Sequence, residues 1–182
     1  MRIIAGSARG VTLKAPKTFD TRPTADRIKE SLFNILGNKT LDANVLDLFA
    51  GTGALGLEAL SRGAARAVFV DKSTTNLIKE NAAKTKLSEK VTVKKGNVSA
   101  VIKLLDGEKF DLIFCDAPYA KGLTEKTLEA LHRSDIVADN ALIAVEHGRN
   151  EDFSSPFFLL RRVDYGHTTS ISFFRKFSET HD

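Results

Sequence analysis

From Asn44 onward the chain alternates short apolar runs with segments of helical periodicity, and this rhythm limits the available folds more than any other feature. The runs are Val45–Phe49, Ala67–Val70, Val91–Val93, Leu112–Cys115 and Leu142–Val145, with helices expected at 54–62, 73–84, 98–105 and 124–133. The pattern predicts an α/β architecture: a doubly wound, mostly parallel sheet with helices on both faces. After Phe153 the rhythm breaks. Phe157–Val163 and Thr169–Phe174 are strand-like about a turn near Tyr165-Gly166, which predicts an antiparallel edge. Ahead of the repeat, Arg2–Ala5 and Val11–Lys14 read as a β-hairpin turning through Gly6–Gly10. A polar stretch, Lys17–Pro23, leads into a helix with Thr24 as N-cap, Ile28, Leu32, Ile35 and Leu36 on one face, and Gly37-Asn38 as its end.

Ligands of such sheets bind beyond the carboxyl ends of the central strands, so the residues after each run carry the chemistry. After the first run, Gly51, Gly53 and Gly56 have the G-x-G-x-x-G spacing of a nucleotide-type cofactor loop. Asp47 lies four residues before Gly51. A carboxylate pointing into this loop repels a pyrophosphate and favours a cationic ligand. S-adenosylmethionine carries a sulfonium and an ammonium, so the loop points to methyl transfer. The second run ends at Asp71, an acid placed to accept hydrogen bonds from the ribose hydroxyls of an adenosine, or to cap the next helix before Ser73. After the third run, Asn97 is a candidate for the adenine edge, although a simple turn role is the stronger reading.

The fourth run ends in Asp116-Ala117-Pro118-Tyr119. Pro118 donates no ladder hydrogen bond and pushes Ala117 towards an extended conformation. The Asp116 carboxylate and the Ala117 carbonyl then form adjacent acceptors that match the two N–H bonds of an exocyclic amine. Tyr119 supplies a flat face for a base to stack on. Asp116, with an ordinary aspartate pKa of about 3.9, is expected to be ionised and ready to accept. Cys115 sits within a buried-type strand and reads as a small hydrophobe rather than a nucleophile. His147 and His167 are left out of the site.

Charge is uneven. Residues 1–30 hold seven basic and three acidic side chains, so the whole formal net charge of +4 sits there, the footprint of a phosphate-backbone partner or of a solvated basic face. A single cysteine excludes an internal disulfide framework, and the four histidines have no metal-ligand spacing, so no structural metal is expected. No apolar run approaches the ~20 residues of a membrane span, and the first residues lack a signal peptide's apolar centre, so a cytoplasmic protein is expected.

The sequence resembles the family of bacterial 16S ribosomal RNA guanine-N2 methyltransferases (the guanine-966 enzyme, RsmD-like). The resemblance is carried by Met1–Gly6 with Arg9-Gly10, Thr21–Thr24 with Asp26-Arg27, Asp47–Gly56 with Glu58–Ala64, the motif after the fourth run, and the Tyr165-Gly166 turn with Thr168. It covers nearly the whole length in the right order. It implies the seven-stranded, Rossmann-like class I methyltransferase fold with an N-terminal β-hairpin and helix beside the cleft. Residues 1–182 would form one methyltransferase domain, with 1–40 as the RNA-contacting hairpin and helix and 41–182 as the cofactor-binding and catalytic core. The expected sites are Asp116, Ala117, Pro118 and Tyr119 for catalysis, and Asp47, Phe49, Gly51, Thr52, Gly53, Asp71 and Asn97 for S-adenosylmethionine. Arg2, Arg9, Arg22 and Arg27 would hold RNA. The implied partner is 16S ribosomal RNA, within the small subunit or an assembly intermediate; nothing in the sequence demands a dimer, and a monomer is expected. One departure stands out. The family motif usually reads Asp-Pro-Pro followed by Tyr or Phe, and Ala117 replaces the first proline, keeping the acceptor carbonyl but losing rigidity. The alternatives are a DNA adenine-N6 methyltransferase, an NAD-dependent oxidoreductase, which leaves Asp47 and the fourth-run motif unexplained, and a non-catalytic RNA-binding protein.

Overall fold

The computed structural model describes residues 1–17, 23–119 and 122–177. Its elements are α1 (Pro23–Leu36), β1 (Asn44–Leu48), α2 (Ala54–Ser61), β2 (Arg66–Asp71), α3 (Thr75–Lys84), β3 (Val91–Lys95), α4 (Val98–Leu104), β4 (Phe110–Cys115), α5 (Leu123–Arg133), β5 (Val137–Gly148), β6 (Phe158–Tyr165) and β7 (Thr169–Arg175). The strands form one seven-stranded sheet in the order β3-β2-β1-β4-β5-β7-β6. β1 to β5 are parallel, while β7 runs antiparallel between β5 and β6, which makes the expected antiparallel edge. The order reverses between β1 and β4, where such sheets open a ligand crevice.

Alternate strand residues feed two cores. Val45, Phe69, Phe114 and Ala144 pack under α1, α2 and α3, while Leu46, Leu48, Val70, Ile113, Cys115 and Val145 pack under α4 and α5. Burial on both faces explains why the central runs are apolar throughout. β5 begins five residues before the expected run, because the polar pair Asp139-Asn140 hides its start and Asn140 takes a φ of 61°.

The N-terminal segment forms the expected hairpin, with a short antiparallel pairing. A single bridge joins Arg2 and Thr12, flanked by the Ile3 amide on the Val11 carbonyl (2.9 Å) and the Leu13 amide on the Met1 carbonyl (2.9 Å). The hairpin is fastened to α2. The amides of Ile4 and Ala5 donate to the Glu58 carboxylate, at 2.9 and 3.1 Å. Glu58 is 0% exposed and also binds Lys29 of α1 (3.2 Å, itself 2% exposed) and Arg62 (2.9 Å). Gly6 meets α2 so closely that a Cβ there would lie 1.8 Å from the Ser61 carbonyl oxygen, and its φ of 86° suits glycine alone. One buried carboxylate thus joins the N-terminal turn, α1 and α2. At the other end of the segment, the fully buried Asn81 side chain exchanges hydrogen bonds with the Lys14 backbone (2.8 and 3.0 Å) and donates to the Thr52 carbonyl (2.9 Å).

Candidate active site

The glycine loop follows β1 and opens α2, as its spacing predicts. Gly53, with φ 82°, is the residue from which α2 starts. Gly56 has a different reason to be glycine: a Cβ would lie 2.4 Å from the Phe69 ring and 3.1 Å from an Asp47 oxygen, so the helix packs directly on the sheet. A Cβ on Gly51 would meet nothing within 4 Å, which leaves its side of the loop open. Phe49 takes φ 57°, a strained state for a bulky residue, and the strain sits at the tip of β1 where the backbone bends into the loop. The Thr52 carbonyl is held from below by Asn81.

Asp47 corrects the expectation that its carboxylate points into the loop. It is 2% exposed and lies beneath the loop, where it accepts the Gly56 amide at 2.9 Å. Burial pushes its pKa up to about 8, against the lowering effect of the Gly56 amide and with a further push from Asp71. Its oxygens therefore lie out of contact reach of a ligand in the loop. A buried carboxyl lacking a paired cation among the described residues suits a cationic ligand and disfavours a pyrophosphate.

The hydrogen bonds of Asp71 follow the capping reading of its position. One carboxylate oxygen accepts the Gly51 amide (3.0 Å), and the other accepts the amides of Ser73 (2.9 Å) and Thr74 (3.1 Å). It clamps the glycine loop to the start of the next helix. Partial burial works to raise its pKa, but the three amides outweigh this and hold it below the usual carboxylate value. It stays ionised at the rim of the loop, with lone pairs for further donors. Asn97 is exposed and caps α4, its side-chain oxygen accepting the Ser99 amide at 3.0 Å, as the turn reading requires; its amide nitrogen is left to serve a ligand.

Across the reversal in strand order, the tip of β4 carries Asp116, Ala117, Pro118 and Tyr119. Ala117 is buried in the α4/α5 core, whereas Asp116, Pro118 and Tyr119 reach solvent. Asp116 is exposed, and the protein packed near it, then the charges of Glu146 and Asp47, push its pKa up from the ordinary value that the sequence suggests. Glu146 near the end of β5 is likewise raised, by burial. Three carboxyl groups with raised pKa values thus share this face of the sheet, and a cationic ligand beside them would favour their charged forms. Tyr119 is 44% exposed, and burial followed by the Glu146 charge raises its pKa. Its ring borders a cavity of about 840 Å³ with Gly148, Arg149, Phe153, His167 and Thr168, wide enough for a nucleobase.

Cys115 and His147 are structural, as expected. Burial drives the Cys115 thiol far up. His147 is 0% exposed, satisfied by Ser172 (2.8 Å) and the Gly148 carbonyl (2.9 Å), and burial lowers its pKa. Of the arginines assigned to RNA, Arg9 and Arg27 are exposed, and Arg2 is exposed with a contact to Asp26 at 3.7 Å. Arg22 lies outside the described residues. Glu58, Lys29, Asn81 and Glu146 are the contributors that sequence reasoning gave no role. Among the described residues no group of three metal-ligating side chains occurs, and no helix is long and apolar enough to cross a membrane.

The comparisons with known proteins agree with this geometry. The family model described as conserved hypothetical protein 95 matches residues 1–174. Ribosomal RNA small subunit methyltransferase D of Escherichia coli K12 is 40% identical over 148 residues, 80% of this chain and 74% of that protein. Its namesake in Haemophilus influenzae is 35% identical over 160 residues, 86% of this chain and 83% of that protein. A solved structure named "Putative methyltransferase yhhF from Escherichia coli" superposes with a TM-score of 0.84 at 36% identity, covering 98% of this chain and 99% of that one. The fold is that of the class I methyltransferases, and the chain belongs to the family of ribosomal RNA small subunit methyltransferase D.

Proposed function

We propose that this chain transfers a methyl group from S-adenosylmethionine to the exocyclic N2 amine of a guanine in 16S ribosomal RNA. The observation that carries the reading is the placement of Asp116-Ala117-Pro118-Tyr119 at the strand-order reversal, facing the Gly51–Gly53 loop across the crevice. The names of the relatives support ribosomal RNA as substrate, and the basic N-terminal segment supports a phosphate-rich partner. The residues of the loop fit the cofactor. Asp71 offers ionised acceptors to a ribose, and the uncompensated Asp47 favours a cation. When bound, the cofactor supplies an electrophilic methyl.

The chain's own residues do the rest. Tyr119 stacks the base, which a loop nucleotide presents at least cost because it is already unpaired. Asp116, deprotonated once positive charge lies beside it, accepts one amine hydrogen, and the Ala117 carbonyl accepts the other. Both orient the nitrogen lone pair towards the methyl and stabilise the charge that develops on it. Arg2, Arg9, Arg22 and Arg27 hold flanking phosphates. In this reading residues 1–182 act as one domain, 1–40 gripping RNA and 41–182 carrying the chemistry, as a monomer in the cytoplasm, without metal, on the small subunit or an assembly intermediate. Replacing Asp116 by Ala tests the assignment. Methyl transfer to ribosomal RNA should fall by about 10²-fold or more, while cofactor affinity, read by calorimetry, stays within a few-fold. Loss of cofactor binding with transfer would show that Asp116 serves the cofactor instead.

A further inference from the structure

Glu146 stands beside Asp116 in the sheet. β4 and β5 are parallel with Cys115 opposite Val145, so the next rung pairs Asp116 with Glu146. Cys115 and Val145 point into the α4/α5 core, and alternation therefore sends both carboxyl groups to the opposite face. Neighbouring strands lie about 4.8 Å apart, so the two groups occupy adjacent positions at the cleft. Glu146 is half-buried, and both Asp116 and Tyr119 lie within reach of its charge.

The chemistry of the amino bases gives this neighbour a use. Adenine, cytosine and guanine each present an exocyclic amine, and a single acceptor such as Asp116 serves all three. They differ in the adjacent ring nitrogen. In adenine (N1) and cytosine (N3) it is a lone pair, an acceptor, whereas guanine N1 carries a hydrogen. A second carboxylate next to the amine acceptor matches only guanine, and it faces the lone pair of the others with like charge. Resting on the amino-methyltransferase reading above, we infer that Glu146 accepts the N1–H of the target guanine and is the residue that selects guanine over the other amino bases.

The test uses 2-aminopurine in place of the target guanine of the RNA, since it keeps the 2-amino group but has a lone pair at N1. The native protein should prefer guanine by about 10- to 100-fold in kcat/KM, the worth of one good base-edge contact. Glu146→Gln offers an NH2 that can donate to the N1 of 2-aminopurine, and only a neutral carbonyl in place of a carboxylate for the guanine N1–H. It should therefore lose on guanine, gain on 2-aminopurine, and close or invert the gap, with cofactor affinity and melting temperature near native. Equal loss on both bases, or an unchanged ratio, overturns the inference. So does a native protein that methylates both bases alike, a result that does not depend on the variant's folding. A native protein that methylates neither base overturns the amino-methyltransferase reading itself, and the inference with it.

Discussion

The carboxylate of Glu58 offers the sharpest test of how the N-terminal segment is attached. Glu58→Gln keeps the shape and one carbonyl oxygen, but it turns an NH2 towards a donor and removes the charge that faces Lys29. Lys29 is 2% exposed, and its pKa is lowered by burial against the raising effect of Glu58, so its ammonium depends on this partner. Removing one partner of a buried ion pair costs about 3–5 kcal/mol. For a chain of this size each kcal/mol lowers Tm by about 2–4 °C, so a fall of about 6–20 °C is expected. Lys29→Met should cost less, because Glu58 keeps Arg62 at 2.9 Å and the amides of Ile4 and Ala5. In the double variant neither charge is stranded, so the cycle should be non-additive by about 1–3 kcal/mol. Denaturant unfolding measures the energies, and hydrogen exchange at Ile4 and Ala5 reports whether the segment detaches first. A Glu58→Gln variant within about 0.5 kcal/mol of native, the range of ordinary surface changes, or an additive cycle, would refute the claim that this carboxylate holds the three elements together.

Asp47 has a folded pKa of about 8, above its unfolded value of about 3.9, so its contribution to stability is full below pH 4 and is lost as pH rises towards 8. Asp47→Asn should remove a slope of up to ~1.4 kcal/mol per pH unit across that window while weakening cofactor binding; parallel native and variant stability curves would rule this out. Gly6→Ala must place a methyl group 1.8 Å from the Ser61 carbonyl at φ 86°, so stability should drop by more than ~1 kcal/mol. A neutral result by thermal melting would mean that the turn does not sit against α2 as described. Asn81→Ala releases both Lys14 and Thr52, so cofactor affinity and RNA affinity should weaken together. If titration of each ligand shows only one affected, the two ends are not coupled through this side chain.

Much of this architecture could be read from the chain because local and global signals agree. The central strands are buried on both faces, and apolar runs bounded by glycine and helix caps are the direct trace of that burial. The loop was legible for the same reason: Gly53 needs a left-handed backbone and Gly56 needs the absence of a side chain. What remained hidden depends on contacts distant in sequence. The anchoring of the hairpin follows from Glu58, which takes the Ile4 and Ala5 amides from more than fifty residues away. A signal was present, since Glu58 is the one charged residue in Ala54–Ser61 and Asn81 falls on the buried stripe with Ile78 and Ala82. A polar side chain on an apolar helix face marks a buried partner without naming it. The upward shift of the Asp116 carboxyl was also unreadable, because part of it comes from Glu146 on the next strand. The direction of the Asp47 carboxylate was missed for a similar reason: the strand fixes its face, but only the packed α2 decides that it bonds Gly56.

The most direct test of the proposed activity is to incubate the protein with labelled S-adenosylmethionine and small-subunit ribosomal RNA, free and within particles. The RNA is then digested and the modified nucleoside identified by mass. The account predicts N2-methylguanosine at a single position, and none with Asp116→Ala. Label appearing as N6-methyladenosine, or on a ring carbon or ribose oxygen, would contradict it.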